Sequence, residues 1–329
     1  MSTSLRPRLV NGRYGDPALF VEFSHQREAV LLDMGDLSAL SARDLLRVGT
    51  VGVSHMHMDH LIGFDALLRV NVGRDARIEL AGPEGFADRL GHKLQGYTWD
   101  LAQRYTTELV IEAAELVAPE CLRRTRFRFS QRFEPEPLGE AEARGGMIFE
   151  TPRWKLSASI LEHHGPCLAF ALEEPHRVNV WRNRLDEAGL ERGKWLHGLK
   201  EAIRRGGDDQ LPIRLPGGSA KPLSELRHLV SVEPGGKICY ATDLRDTAAN
   251  RQSLRSLGAG ARILFIEASF RAADAALAFD RAHLTTRAAG EIARECEAKR
   301  VEPFHFSPRY KDCEAALLAE VEEAFAGSA

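Results

Sequence analysis

The chain has 329 residues, a formal net charge of −3 at pH 7 and a sequence pI near 6.5, with 44% hydrophobic and 28% charged residues. That balance excludes a disordered chain and a surface that is basic all over, so any nucleic-acid contact needs a local patch. Five scattered cysteines without a Cys-x-x-Cys pair argue against a disulfide framework, and no stretch reads as a signal core or a membrane span. The expectation is a cytoplasmic protein with reduced thiols. The length slightly exceeds a usual single core, which suggests one large domain with an excursion.

Residues 8–33 read as two strands, the second being 29–33, with a turn at Asn11-Gly12 or Gly15-Asp16-Pro17 between them. A helix is predicted over 39–47, then a strand at 51–53 and a helix from Leu61 to Leu68. A strand over 77–81 and a helix over about 84–95 follow, and this alternation suggests a layered α/β domain. Short strands are predicted at 109–111, 124–129 and 154–161, with the polar 134–146 stretch as a loop. The segment 177–228 breaks the pattern, carrying 11 Lys/Arg against 7 Asp/Glu, with a helix near 195–205. Alternation resumes with strands at 237–241, 261–266 and 301–304, ending at Asp243, Glu267 and His305. Helices are predicted over about 286–299 and 314–325.

The densest chemistry lies in Val51-Gly-Val-Ser-His55-Met-His57-Met-Asp59-His60. In an extended segment alternate side chains share a side, so His55, His57 and Asp59 can converge, and a turn would bring in His60. A catalytic zinc usually takes three protein ligands and keeps one position open. Three imidazoles and a carboxylate exceed that need, and sharing them between two adjacent metals is the natural solution.

His55-x-His57-x-Asp59-His60 resembles the signature of the metallo-β-lactamase superfamily. Glu162-His163-His164-Gly165-Pro166 with Leu168-Ala169-Phe170, Tyr240-Ala-Thr-Asp243 and Phe304-His305-Phe-Ser-Pro-Arg309-Tyr310 narrow the resemblance to its ribonuclease Z-like branch, over about residues 31–310. It implies an αββα sandwich of two mixed sheets in one domain spanning residues 1–329, with 177–228 as an inserted arm. It also implies two Zn2+ per chain, with Mn2+ as an alternative. One ion takes His55, His57 and His163, the other Asp59, His60 and His305, and Asp243 joins them. In the pattern of that branch the ligand is followed, after two residues, by the position held here by Pro166, so the resemblance makes His163 the ligand and leaves His164 on the opposite face.

Ala282-His283-Leu284-Thr285 and Ile266-Glu267-Ala268-Ser269 resemble two further loops of that branch. By resemblance His283 protonates the leaving 3′ oxygen, Glu267 holds it charged, and Asp59 also accepts a proton from the attacking water. Asp33 is either a carboxylate orienting a ligand histidine or a strand-end turn residue. Arg309 is either a phosphate contact or half of an ion pair. The implied activity is removal of the 3′ trailer from precursor tRNA by a homodimer without membrane contact. The alternatives are hydrolysis of a smaller phosphodiester, such as a cyclic nucleotide, and a non-catalytic RNA-binding relative. Two segments depart from the branch. Val10-Asn-Gly-Arg13-Tyr-Gly-Asp-Pro17 replaces its Pro-x-Lys-x-Arg-Asn loop, and its Gly-Pro-rich arm tip is reduced to Leu190-Glu-Arg-Gly193-Lys-Trp195. Trip points for RNA in the arm are Trp195, Lys194, Arg204 and Arg205, which either grip it or form a solvated face.

Overall fold

A computed structural model describes residues 3–327. One sheet has eight strands in chain order: β1 (Leu5–Leu9), β2 (Leu19–Phe23), β3 (Ala29–Leu32), β4 (Val48–Gly52), β5 (Ala76–Pro83), β6 (Leu109–Ala118), β7 (Cys121–Arg128) and β8 (Pro135–Glu142). The run from β3 to β6 is parallel and the flanking pairs are antiparallel. Parallel neighbours need crossovers, and these carry α1 (Ala42–Leu45), α2 (Phe64–Asn71) and α3 (Phe86–Gln95). All four residues of β3 are buried, as expected of a strand covered on both faces.

A second sheet begins with β9 (Met147–Glu150), β10 (Lys155–Glu162) and β11 (Pro166–Glu173). The chain then leaves it for a separate compact unit made of Thr151–Trp154 and Glu173–Gly236. That unit holds the antiparallel pairs β12 (Arg177–Val180) with β15 (Val230–Glu233) and β13 (Pro212–Arg214) with β14 (Ala220–Pro222). Its helices are α4 (Arg182–Glu187), α5 (Trp195–Arg204) and α6 (Leu223–Leu226), around a small core that includes Leu185, Leu199, Leu223 and Leu229. The whole 177–228 excursion lies within it.

The parallel strands β16 (Lys237–Ala241), β17 (Ile263–Glu267) and β18 (Val301–Phe304) complete the second sheet, in the order β18-β17-β16-β11-β10-β9. Their connections carry α7 (Ala248–Gly258), α8 (Ala275–Asp280) and α9 (Thr286–Glu295), and α10 (Glu314–Ala326) closes the chain. Two apolar clusters seat the helices. Leu45, Phe64, Leu67, Phe86 and Leu90 pack α1–α3 on the first sheet, while Leu254, Ile292, Leu317 and Val321 help to pack α7–α10 on the second. Between the sheets the approach is close at Gly52. A Cβ there would meet Leu32 and the Phe170 ring at 3.0 Å. The fold is the αββα sandwich of two mixed sheets.

Two segments differ from expectation. Where two strands are predicted over residues 8–33 there are three, because β1 starts earlier, at Leu5, as an edge strand whose Pro7 weakens a strand reading. The polar 134–146 stretch is not a loop. It contains β8, an exposed edge strand paired with β7, where Glu136 meets Arg126 at 3.5 Å and Arg128 at 3.4 Å. An exposed edge strand held by charge pairs has no buried face to write an apolar pattern, and its charges blunt a sticky edge.

Candidate metal centre

The strands β3, β4, β16 and β18 are followed by Asp33, the Ser54–His60 segment, Asp243 and His305, and β17 ends in Glu267. Ligand-bearing loops at the carboxyl ends of parallel strands are a common site geometry in α/β folds. His163 arrives from the β10–β11 connection and His283 from the segment between α8 and α9. The backbone of Leu168 donates to Ser54 O at 2.9 Å, tying the two sheets together beside the motif.

The side chains converge on Asp243, which is 2% exposed. Its Oδ2 lies 3.3 Å from His55 Nε2 and 3.1 Å from His60 Nε2. Its Oδ1 lies 2.9 Å from His305 Nδ1. Asp59 Oδ2 is 3.6 Å from His60 Nε2 and 3.8 Å from His305 Nε2. The rings of His55, His57 and His163 touch one another, with centroids 4.3–5.4 Å apart. Donor atoms therefore fall into three compact groups: His55, His57, His163 and Asp243; Asp59, His60 and His305; Asp243, Glu267, His283 and His305. The structure thus brings together all seven expected ligand residues, with His283 and Glu267 beside them.

Neighbouring groups hold these side chains in place. His163 donates through Nδ1 to Ala282 O at 2.9 Å, which leaves Nε2 free to ligate. His164 is exposed, with its ring 4.5 Å from that of His163 and its Nε2 3.2 Å from Arg281 O. Asp33 is fully buried and accepts from Ser54 N at 2.6 Å, Ser54 Oγ at 2.8 Å, Tyr240 OH at 2.8 Å and His60 Nδ1 at 2.9 Å. Of the two readings of Asp33, orientation of a ligand histidine is the one that matches this geometry. Asp33, Asp243 and His305 all have left-handed backbones, with φ of 58°, 51° and 57°. Each is a single strand-end residue in a conformation that side chains disfavour, a cost of about 1–2 kcal/mol that clusters at functional sites.

The electrostatics ask for cations. Burial works against charge on His60, yet the Asp33 and Asp243 carboxylates raise its pKa to about 10. His305 is likewise raised by Asp243 against its own desolvation. Burial and the neighbouring His60 push His55 down to about 2. A hydrogen bond with His305 holds Asp59 down to about 2. His55 Nε2 and His60 Nε2 are buried and, although Asp243 Oδ2 is within 3.3 Å of each, neither makes a well-aligned hydrogen bond among the described residues. A tetrahedral ion with bonds of about 2.0–2.1 Å keeps neighbouring ligand atoms roughly 3.3 Å apart, and the Asp243 spacings match that. Orphaned imidazole nitrogens, a shared buried carboxylate and this spacing fit a metal centre.

The centre lies in a cleft of about 580 Å³. At its wall His283 donates through Nδ1 to Glu267 Oε2 at 2.9 Å. Glu267 also accepts from Leu244 N at 2.7 Å and Ser269 Oγ at 2.7 Å. Burial lowers the His283 pKa, but Glu267 outweighs it and the net shift is upward. Arg309 makes no ion pair with a carboxylate among the described residues; its guanidinium stacks 5.6 Å from the Phe270 centroid.

Comparison with known proteins decides the family. The chain is 35% identical over 289 residues to a ribonuclease Z of Deinococcus radiodurans, covering 87% of this chain and 84% of that one. It belongs to the ribonuclease Z family. A ribonuclease Z of Methanothermobacter thermautotrophicus is 26% identical over 298 residues, covering 89% and 81%. Among solved structures, the short form of human tRNase Z aligns with a TM-score of 0.52 at 17% identity, covering 94% and 92%. A metallo-β-lactamase fold protein of Bacillus subtilis aligns with a TM-score of 0.55 at 15% identity, covering 97% and 92%. At those identities the structures bear on the fold alone. No family model matches the chain. Membership makes this ribonuclease Z relative a metal-dependent hydrolase.

Four supporting groups escape a reading of the motifs. Ser54 and Tyr240 hold Asp33, Ser269 holds Glu267, and the Ala282 carbonyl holds His163. Ser54 and Tyr240 had a usable signal, since each is a polar side chain inside an otherwise apolar strand or strand end. Ala282 had none, because its contribution is a carbonyl on a residue with φ of 56°.

Proposed function

We propose that the chain is an endoribonuclease that removes the 3′ trailer from precursor tRNA, with two zinc ions per chain and manganese as a substitute. The observation that carries this is the convergence of three donor groups on Asp243 directly beside the His283–Glu267 pair. His55, His57 and His163 would hold one ion, Asp59, His60 and His305 the other, and Asp243 both. Bound there, the ions would activate the attacking water and neutralise charge on the phosphate.

The chain's own groups supply the rest. An RNA 3′ alkoxide is a poor leaving group, and His283 meets that need by giving it a proton. Glu267 fixes the imidazole through Nδ1, so Nε2 is the nitrogen that faces the leaving oxygen. Asp59 accepts a proton from the attacking water. Asp33, held by Ser54 and Tyr240, keeps the His60 ring in place. The positively charged 177–228 segment supplies a local patch for RNA in a chain that is otherwise acidic.

The test is cleavage of a precursor tRNA beside bis-p-nitrophenyl phosphate. Release of the trailer with a 3′ hydroxyl left on the tRNA is expected. Hydrolysis of the small diester without any tRNA cleavage would move the reading to a small phosphodiester. A single elution volume corresponding to two chains is the expected size-exclusion result for the homodimer.

A further inference from the structure

Several arginines of the larger unit are engaged by carboxylates, as in Arg251 with Asp246, Glu291 and Glu295, or Arg271 with Glu320. Arg281 is different. It follows α8 directly, is exposed, lines the cleft, and its side chain has no hydrogen bond or ion pair among the described residues. An unpaired guanidinium beside an acidic cluster contributes nothing evident to the fold. It is suited to an anion that enters the cleft.

The end of α8 carries Phe279, a large apolar side chain that is 49% exposed. The Arg245 guanidinium lies 4.8 Å from its ring centroid, with Nε 3.8 Å from Glu162 Oε1. An exposed aromatic with a cation on one face is a platform on which a base can stack. The turn is also tied to the catalytic groups. Ala282 N donates to Phe279 O at 3.0 Å, Ala282 O fixes His163, and His283 comes next in the chain. The N-terminal loop also lines the cleft, but it presents Tyr14 and Asp16, while Arg13 is taken up by Glu302 and Glu314. Arg309, the other arginine lining the cleft, is stacked on Phe270, and Arg281 is the arginine that adjoins Ala282 and His283.

The nucleotide that owns the leaving 3′ oxygen sits at His283, so its base and its 5′ phosphate extend from there. We propose that Arg281 binds the phosphate on the 5′ side of that nucleotide and that the Phe279–Arg245 pair stacks a base of the same strand segment. The turn after α8 is thus the RNA-positioning rim upstream of the scissile bond. This rests on the phosphodiesterase reading above, with the acid at His283.

The experiment is direct binding of a fluorescently labelled single-stranded oligoribonucleotide with a free 3′ hydroxyl to the zinc-loaded protein, by anisotropy at several salt concentrations. Arg281→Ala should weaken binding about tenfold and reduce the slope of log affinity against log salt by about 0.7, the value for one phosphate contact on a single strand. Arg281→Lys should restore the slope. Phe279→Ala should weaken binding by roughly tenfold with the slope retained, as for one lost base stack. Arg104→Ala, an exposed arginine outside the cleft, should change neither. Unchanged affinity and slope in Arg281→Ala, or no RNA binding by the unaltered protein, would overturn the proposal. RNA binding with these losses but without precursor tRNA cleavage would remove the tRNA reading and leave this one standing.

Discussion

His283 Nδ1 lies 2.9 Å from Glu267 Oε2, and Glu267 has no solvent exposure. A carboxylate cannot donate when ionised, so the proton of this hydrogen bond belongs to the imidazole, and Nε2 is directed elsewhere. The arrangement is that of an acid whose orientation and charge are both set by one buried partner. Removing His283 should slow hydrolysis of an unactivated phosphodiester by roughly 10²–10⁴, the usual worth of a positioned acid. With a nitrophenyl leaving group, which departs without a proton, the loss should be much smaller. Glu267→Gln should shift both substrates in the same sense but less. Equal losses on the two substrates, with metal content intact, would show that His283 binds phosphate and does not deliver the proton.

Metal content gives a second expectation. Because Asp243 touches both groups of imidazoles, Asp243→Ala should lower occupancy at both positions, whereas His305→Ala should chiefly empty one. Elemental analysis of the purified proteins reads this directly, with about two ions per chain expected before substitution. One ion in fully active protein would contradict the two-ion assignment.

Much of this site was legible before any coordinates because its chemistry is written locally. His55, His57, Asp59 and His60 lie within six positions, and the remaining ligands sit at ends of strands that the apolar pattern marks. What was not legible has a physical cause in each case. β8 is an exposed edge whose pairing rests on Glu136, Arg126 and Arg128, so it carries no apolar alternation. α1 is short because Ser41 caps it and the chain turns into β4 almost at once, where the pattern reads as a helix from 39 to 47. The contact of Tyr240 with Asp33 depends on two sheets meeting, and that of Ser54 on the pairing of β3 with β4, which no single segment encodes.

The assignment of His163 over His164 rests on the match of Pro166 to the family pattern. His163 is buried and aimed by the Ala282 carbonyl, while His164 is exposed. His163→Ala should abolish activity and lower the metal content. His164→Ala should keep most of both. The opposite outcome would mean that the register through Pro166 is off by one.

Packing of α9 against α10 offers a test of the fold that is independent of the site. A Cβ on Gly290 would come 2.4 Å from Val321 O and 2.7 Å from Ala324 Cβ. Backbone atoms cannot yield as a flexible side chain can, so Gly290→Ala should cost about 1–3 kcal/mol by overpacking, despite the better helix propensity of alanine. A lower thermal midpoint is expected, and an unchanged or raised one would contradict the observed helix contact.

The last prediction concerns Asp33, which lies outside the ligand set but carries four hydrogen bonds at zero exposure. Asp33→Ala would leave the His60 ring, the Tyr240 hydroxyl and the Ser54 hydroxyl without their acceptor in a buried setting. Each orphaned donor costs about 1–3 kcal/mol, so a large loss of stability is expected. Tyr240→Phe removes one donor and leaves the carboxylate its other three, so its cost should be only about 1 kcal/mol. The two variants therefore separate folding from function. Tyr240→Phe should remain folded, with metal affinity reduced by up to roughly tenfold through looser orientation of His60. If Tyr240→Phe matched Asp33→Ala in stability loss, the hydroxyl would be essential to the fold and not just a support for Asp33. If Asp33→Ala kept full stability and full metal affinity, the hydrogen bonds around this carboxylate would not hold His60, and the orienting role given to Asp33 would fall.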